Sequence, residues 1–179
     1  MPVEMMTAVL PTEWETAPAI LQQHLKAFTP DIALHFGVAS EATGFRIETL
    51  AENARNRLAD ASGHVPRRRV ISARAPEHLL ATLPADRIRE RLEQLRLPVE
   101  LSSDAGRYLC NATLFRSLNL SRRAKGARVA GFIHIPSALS DPEQAQALQN
   151  FDWARVVTGG LAIVETCLAH VQGLSGINA

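Results

Sequence analysis

The chain has 179 residues, 46% of them apolar, with 19 basic and 18 acidic residues and a net charge of +1. That length suits a single domain over residues 1–179 that buries roughly 70% of its unfolded surface, and balanced charge exerts no general pull on nucleic acid or anionic membranes. Two distant cysteines do not build a disulfide framework, no apolar run approaches the length of a membrane span, and Met1–Met6 has neither a basic start nor a long apolar run, so a cytoplasmic, reducing setting is the expectation.

Val3 to Leu10 is expected to form a strand closed by Pro11. Thr16 to Phe28 carries Ile20, Leu21, Leu25 and Phe28 at helical spacing and ends at Thr29-Pro30. Asp31 to Val38 is a short apolar strand. Residues 47–58 have helical composition, with Ala, Leu, Glu and Arg in most positions. Pro84 to Arg96 is a charged amphipathic helix with Ile88, Leu92 and Leu95 on one side, and Val99 to Ser102 is a brief strand. A polar turn containing Gly106 then runs into a helix that begins near Cys110. Arg128 to Ile135 is another apolar strand, and Asp152 to His170 the closing helix, with Cys167 on its apolar stripe beside Val156, Val157, Ile163, Val164 and Leu168. Strands separated by helices argue for an α/β fold, a three-layer α/β/α sandwich around a mostly parallel sheet.

The basic runs Arg67-Arg68-Arg69 and Arg122-Arg123-Ala124-Lys125 have no interleaved aromatic residues to stack bases, so they read as solvated charges and nucleic-acid binding is not expected. Six histidines without paired ligand spacing give no metal site, and Thr158-Gly159-Gly160 lacks the strand-turn setting of a dinucleotide loop. No cofactor is expected.

Cys110 is the residue through which chemistry enters. A thiol at a helix start faces unpaired N–H groups and the positive end of the helix dipole, both of which favour thiolate. A small buried hydrophobe is the alternative reading of the same residue. His134 interrupts an apolar strand just before Pro136; it reads either as a buried, hydrogen-bonded imidazole or as a base. Glu48 reads as an exposed carboxylate or as a group that orients such a base.

Tyr108-Leu109-Cys110-Asn111 and Gly131-Phe132-Ile133-His134-Ile135-Pro136 are the specific part of a wider pattern, together with Pro30-Asp31-Ile32-Ala33-Leu34-His35-Phe36-Gly37-Val38-Ala39, Ile47-Glu48, Asn53 and Ala81-Thr82-Leu83-Pro84. In this order the blocks resemble the type I pyroglutamyl peptidases, cytosolic cysteine peptidases that remove an N-terminal pyroglutamyl residue. The resemblance runs from about Val3 to the last helix. It implies a catalytic triad of Cys110, His134 and Glu48, a small peptide substrate with a blocked N-terminus, and homo-oligomers. It implies a strand over residues 45–53, against local composition, with Arg46, Glu48 and Leu50 on one face and Phe45, Ile47 and Thr49 on the other. His35 is expected to be structural, and Cys167 part of the core.

Three departures bear on specificity. The family's first strand and its Gly-Phe-x-Pro-Phe-Gly-Gly loop, whose aromatic rings embrace the pyroglutamyl ring, have no counterpart here, so the substrate-binding residues are unknown and a start placed too late in the gene is one expectation. Thr49 stands where a basic residue usually follows the glutamate. Ala54 to Leu58 replaces the family's Asp-Ala-Arg segment, which leaves Arg55 and Arg57 out of register. The implied activity is therefore pyroglutamyl hydrolysis through a thioester. The alternatives are a related amidohydrolase of different acyl specificity and a catalytically silent relative used for binding or oligomerisation.

Overall fold

The computed structural model describes residues 3–123, 125–148 and 151–176; Ala124 of the second basic run lies outside them. Four strands form the main sheet: β1 (Ile32–Ala39), β2 (Phe45–Glu48), β5 (Val99–Ser102) and β6 (Val129–Pro136), in the order β1-β6-β2-β5. β1 runs parallel to β6 and β2 parallel to β5, while β2 and β6 are antiparallel. The sheet is thus mixed and mostly parallel. A separate antiparallel pair joins β3 (Leu50–Glu52) to β4 (His78–Leu80).

Helices cover both faces. α1 (Thr16–Phe28) packs on α3 (Leu109–Ser121), which lies on β6 and β1; α2 (Ala85–Gln94) packs on α5 (Trp153–Gly176), which lies against the opposite face. A short helix α4 (Pro142–Ala145) precedes α5. Two cores result. One joins Trp14, Leu21, Leu25, Leu114, Phe115 and Phe132; the other joins Phe45, Ile47, Ile88, Leu92, Ile133 and Ile163. β6 is buried at every position because it has a strand on each side and helices above and below.

Most expected elements form where periodicity places them, including the helix over Thr16–Phe28 and the strand over Val99–Ser102. Residues 45–48 and 50–52 are extended although the composition from residue 47 onward is helical, because β2 gains ladder partners on both sides and β3 pairs with β4, which outweighs a propensity difference below about 1 kcal/mol per residue. The shared faces are kept for Arg46 with Glu48 and for Phe45 with Ile47. Thr49 then breaks the run, its N–H and Oγ1 both donating to Ser102 O, and Leu50 passes to the second sheet.

Two expectations are corrected. Val3 to Leu10 forms no strand; among the described residues nothing pairs with it, and Val9 is 97% exposed. An extended segment without ladder partners gains nothing from the β conformation. The expectation that no apolar run approaches a membrane span also fails, since Trp153–Leu174 has mean hydropathy 1.3 and is long enough. In this fold that helix lays Ala162, Ile163, Cys167 and Val171 into the second core and leaves Trp153, Val157 and Leu161 exposed. Cys167, with no accessible surface, is part of the core as expected, and burial pushes its thiol up to about 12.

Candidate functional site

Three separate elements bring Cys110, Glu48 and His134 to the α3-side face of the sheet. Gly106, at φ +73, turns the chain after β5; its N–H donates to Asp104 Oδ1 at 2.9 Å, and Asp104 N–H donates to Ser102 Oγ at 3.1 Å. Only glycine adopts that φ readily. The turn delivers an extended Tyr108 as the cap of α3, with no side chain accepting from the first helical turn. Cys110 is therefore the second helical residue, half-buried, among N–H groups that have no partner within the helix.

On β6, His134 lies between Gly37 of β1 and Arg46 of β2 in register, and its ring centroid is 4.8 Å from that of Phe132. A Cβ on Gly37 would sit 2.7 Å from Phe132 Cζ and 3.3 Å from Cys110 Sγ. Glycine at this position leaves the room in which sulfur meets the sheet.

Glu48 has no accessible surface and the His134 side chain is 7% exposed; Nδ1 and Oε1 are 2.8 Å apart. With Nδ1–H donating to the carboxylate, the Nε2 side of the ring is left for Cys110, whose sulfur is within hydrogen-bonding reach of the imidazole. Burial alone disfavours the imidazolium. Hydrogen bonds to Cys110 and Glu48, and the charges of both groups, outweigh it and raise the His134 pKa to about 9.

That raised pKa makes stability depend on pH. An unfolded histidine titrates near ~6.5, so the native state holds the proton more tightly. The contribution is fully present below about pH 6.5 and is lost as pH rises through about 9. Unfolding free energy measured by urea titration is expected to decline across that window, and His134→Asn to flatten the decline. A wild-type profile that is level from neutral to alkaline pH would contradict this.

Two further residues belong to the site, and sequence reasoning gave them no role of their own. Arg46 Nε lies 3.4 Å from the same Glu48 oxygen and 3.6 Å from Glu100, its cross-strand neighbour, with Glu41 at 3.9 Å from Nη1. Arg46 Nε and Glu48 Oε2 make no hydrogen bond, so this pairing is Coulombic. Its position two residues before Glu48 on a strand was the available signal. Asn111, 1% exposed, accepts from Glu52 N–H and donates to the carbonyls of Glu52 and Ala54, which ties the start of α3 to the chain just beyond Glu48. Asn53 braces the loop that follows, donating to Ser72 O and Ala75 O and accepting from Ser72 N–H.

His35 shares the face of Gly37, and burial pushes its pKa down to about 4; its Nε2 has no partner. It stays neutral beside Phe132, as a structural residue would. His24, His64, His78 and His170 lie outside the cluster, and among the described residues no group of three or more His, Cys, Asp or Glu could hold a metal ion.

Residues 3–153 match the sequence profile described as pyroglutamyl peptidase. The pyrrolidone-carboxylate peptidase of Pyrococcus furiosus is 35% identical over 129 residues, covering 72% of this chain and 62% of the relative. That of Thermococcus litoralis is 33% identical, covering 72% of this chain and 59% of the relative. The chain thus spans about three fifths of these curated relatives' length. Among solved structures, the pyrrolidone carboxyl peptidase of T. litoralis superposes with a TM-score of 0.82 at 27% identity, covering 92% of this chain and 77% of that one. A mutant P. furiosus enzyme gives 0.81 at 28%, covering 90% and 80%.

Proposed function

The chain belongs to the pyroglutamyl peptidase family, and on that premise we propose that it removes an N-terminal pyroglutamyl residue from small peptides, with Cys110 as nucleophile, His134 as acid and base, and Glu48 as the group that orients His134. The observation that carries the reading is the buried Glu48–His134 pair at 2.8 Å, with the Cys110 thiol close enough for its hydrogen bond and charge to act on the same imidazole. A nucleophile, a base and an orienting acid in that sequence are what acyl transfer through a thioester requires.

In the proposed route His134 holds the proton of the Cys110 thiol at the outset, as its raised pKa favours, and Sγ bonds to the pyroglutamyl carbonyl carbon. Charge then develops on the carbonyl oxygen, where the uncapped N–H groups at the start of α3 can receive it. The C–N bond breaks as the imidazolium gives its proton to the leaving amine. Water, deprotonated by His134, cleaves the thioester and releases 5-oxoproline and the free thiol. No step calls on a cofactor. Arg46 enters as a second cation on Glu48 that keeps the carboxylate in place, and Asn111 as the tie that keeps α3 in register with the segment after Glu48.

A fluorogenic pyroglutamyl amide tests the proposal beside prolyl and alanyl amides of the same leaving group. Selective, Cys110-dependent release of the pyroglutamyl reporter supports it. Cys110-dependent hydrolysis of another acyl group would point to a different specificity. No hydrolysis, with slow alkylation of Cys110, would mark a binding module. We further propose that the chain acts as a single domain in a reducing, cytoplasmic setting, in keeping with its two free thiols. Homo-oligomerisation is proposed on the exposed Trp153, Val157 and Leu161 of α5, and sedimentation measures it directly.

A further inference from the structure

The basic run that the sequence presents as solvated charge is organised in three dimensions. Residues from the start of α1 and from the loop after β3 line an open groove of about 320 Å³, formed by Glu15, Arg55, His64, Arg67 and Arg68. Three arginines and one glutamate line the groove, a local balance of +2 with His64 neutral, in a chain whose net charge is only +1. The side chains of Arg67 and Arg68 have no hydrogen-bond or ion-pair partner among the described residues. Near Arg55 and Glu15, Arg116 of α3 has a buried Nε without a partner, and both burial and the charge of Arg55 weaken its hold on the proton, with Glu15 opposing. Concentrated like charge of this kind raises the energy of the empty cleft and is relieved by an anion.

The cleft is also braced. Arg55 donates from Nε to Arg68 O at 2.7 Å and from its backbone N–H to Arg69 O at 2.8 Å, and its guanidinium lies 5.9 Å from the centre of the Trp14 ring. Trp14 is itself held by Nε1–H to Leu58 O at 3.0 Å and by its backbone N–H to Asp60 Oδ2 at 2.8 Å. Asp60 Oδ1 accepts from Ser62 N–H, Ser62 Oγ–H and His64 N–H, which sets the turn carrying His64. The backbone carrying Arg68 and the Arg55 side chain are thus positioned in advance, which lowers part of the entropy cost when a ligand arrives.

We propose that this cleft binds a small doubly charged anion of the phosphate class, either inorganic phosphate or the phosphate group of a small phosphomonoester. Arginine forks bond two oxygens of a tetrahedral dianion at once, and a groove lined by three arginines suits its oxygens better than a single planar carboxylate. This site is distinct from the Cys110 cluster and does not depend on the reading given to that cluster.

Calorimetric titration of inorganic phosphate into the full chain at neutral pH and constant ionic strength tests the proposal, with glycerol phosphate and citrate titrated in parallel. Saturable phosphate binding is expected, weakened at least about ten-fold in Arg67→Ala/Arg68→Ala, since each lost charge-assisted pair removes a strong bond. Both side chains are exposed, so the fold is expected to hold; Arg55→Lys, which keeps charge but loses the fork, is expected to weaken binding as well. Binding of phosphate but not glycerol phosphate assigns the free ion, and binding of both assigns the phosphomonoester. No saturable heat, equal affinity in the double variant, or citrate binding as tightly as phosphate overturns the proposal.

Discussion

Cys110→Ala is expected to abolish turnover of a pyroglutamyl reporter while leaving the fold intact. Without Sγ no thioester forms, and only binding and the N–H groups at the start of α3 remain to assist water. The expected loss in kcat is about 10,000-fold or more, equivalent to about 5.5 kcal/mol of transition-state stabilisation. Alanine is the best helix former, and Cys110 is only half-buried on α3, so stability should change by no more than about 1 kcal/mol. Cys167→Ala is the internal control. It removes a sulfur from the second core, far from the proposed chemistry in role, and should keep full activity while destabilising by about 1 kcal/mol. Near-normal hydrolysis by Cys110→Ala would remove the nucleophile from the mechanism altogether.

The second large effect concerns Glu48→Gln. The wild-type carboxylate has no accessible surface, receives His134 Nδ1–H at 2.8 Å and faces Arg46 at 3.4 Å. Glutamine keeps the volume and one acceptor oxygen but removes the charge that stabilises the imidazolium. The rate is expected to fall about 100-fold or more, as when a neutral amide replaces the orienting acid of a triad. Two of the causes that raise the His134 pKa, the Glu48 hydrogen bond and the Glu48 charge, weaken or vanish together, so the imidazole should titrate below about 9. An NMR titration of the imidazole in the resting enzyme reads that shift. Stability should also fall, because Arg46 loses a buried counter-ion; removing one partner of a buried pair costs up to about 3–5 kcal/mol, and glutamine recovers part of that through its hydrogen bond. An unchanged rate together with an unchanged imidazole titration would return Glu48 to a purely structural role.

Sequence and structure divide the work unevenly. α1, α2, α3 and β5 were legible because each writes its own signal: apolar residues at helical spacing, a short β-rich run, or a glycine turn before an amphipathic segment. Cys110 at a helix start was legible for the same local reason. His134 and Glu48, read without the family pattern, each allowed a plain structural meaning. Their roles emerged only with the motif blocks, and their contact spans 86 positions of the chain.

What tertiary structure alone decided was whatever depends on a distant partner. Residues 47–52 carry helical composition yet pair as strands apart from Thr49, while Val3 to Leu10, expected as a strand, finds no strand partner among the described residues and stays irregular. No local rule forecasts that β2 enters antiparallel to β6, and that reversal is what sets Arg46 opposite His134 and Glu48 opposite Phe132. The basic run at Arg67 became a lined cleft only when Trp14 and Asp60, far back and nearby in the chain, clamped the loop around Arg55. Periodicity and turn chemistry act within a few residues of the backbone, so the sequence determines local elements by itself. Pairing, convergence and charge clustering are settled by the long-range burial that outweighs local propensity.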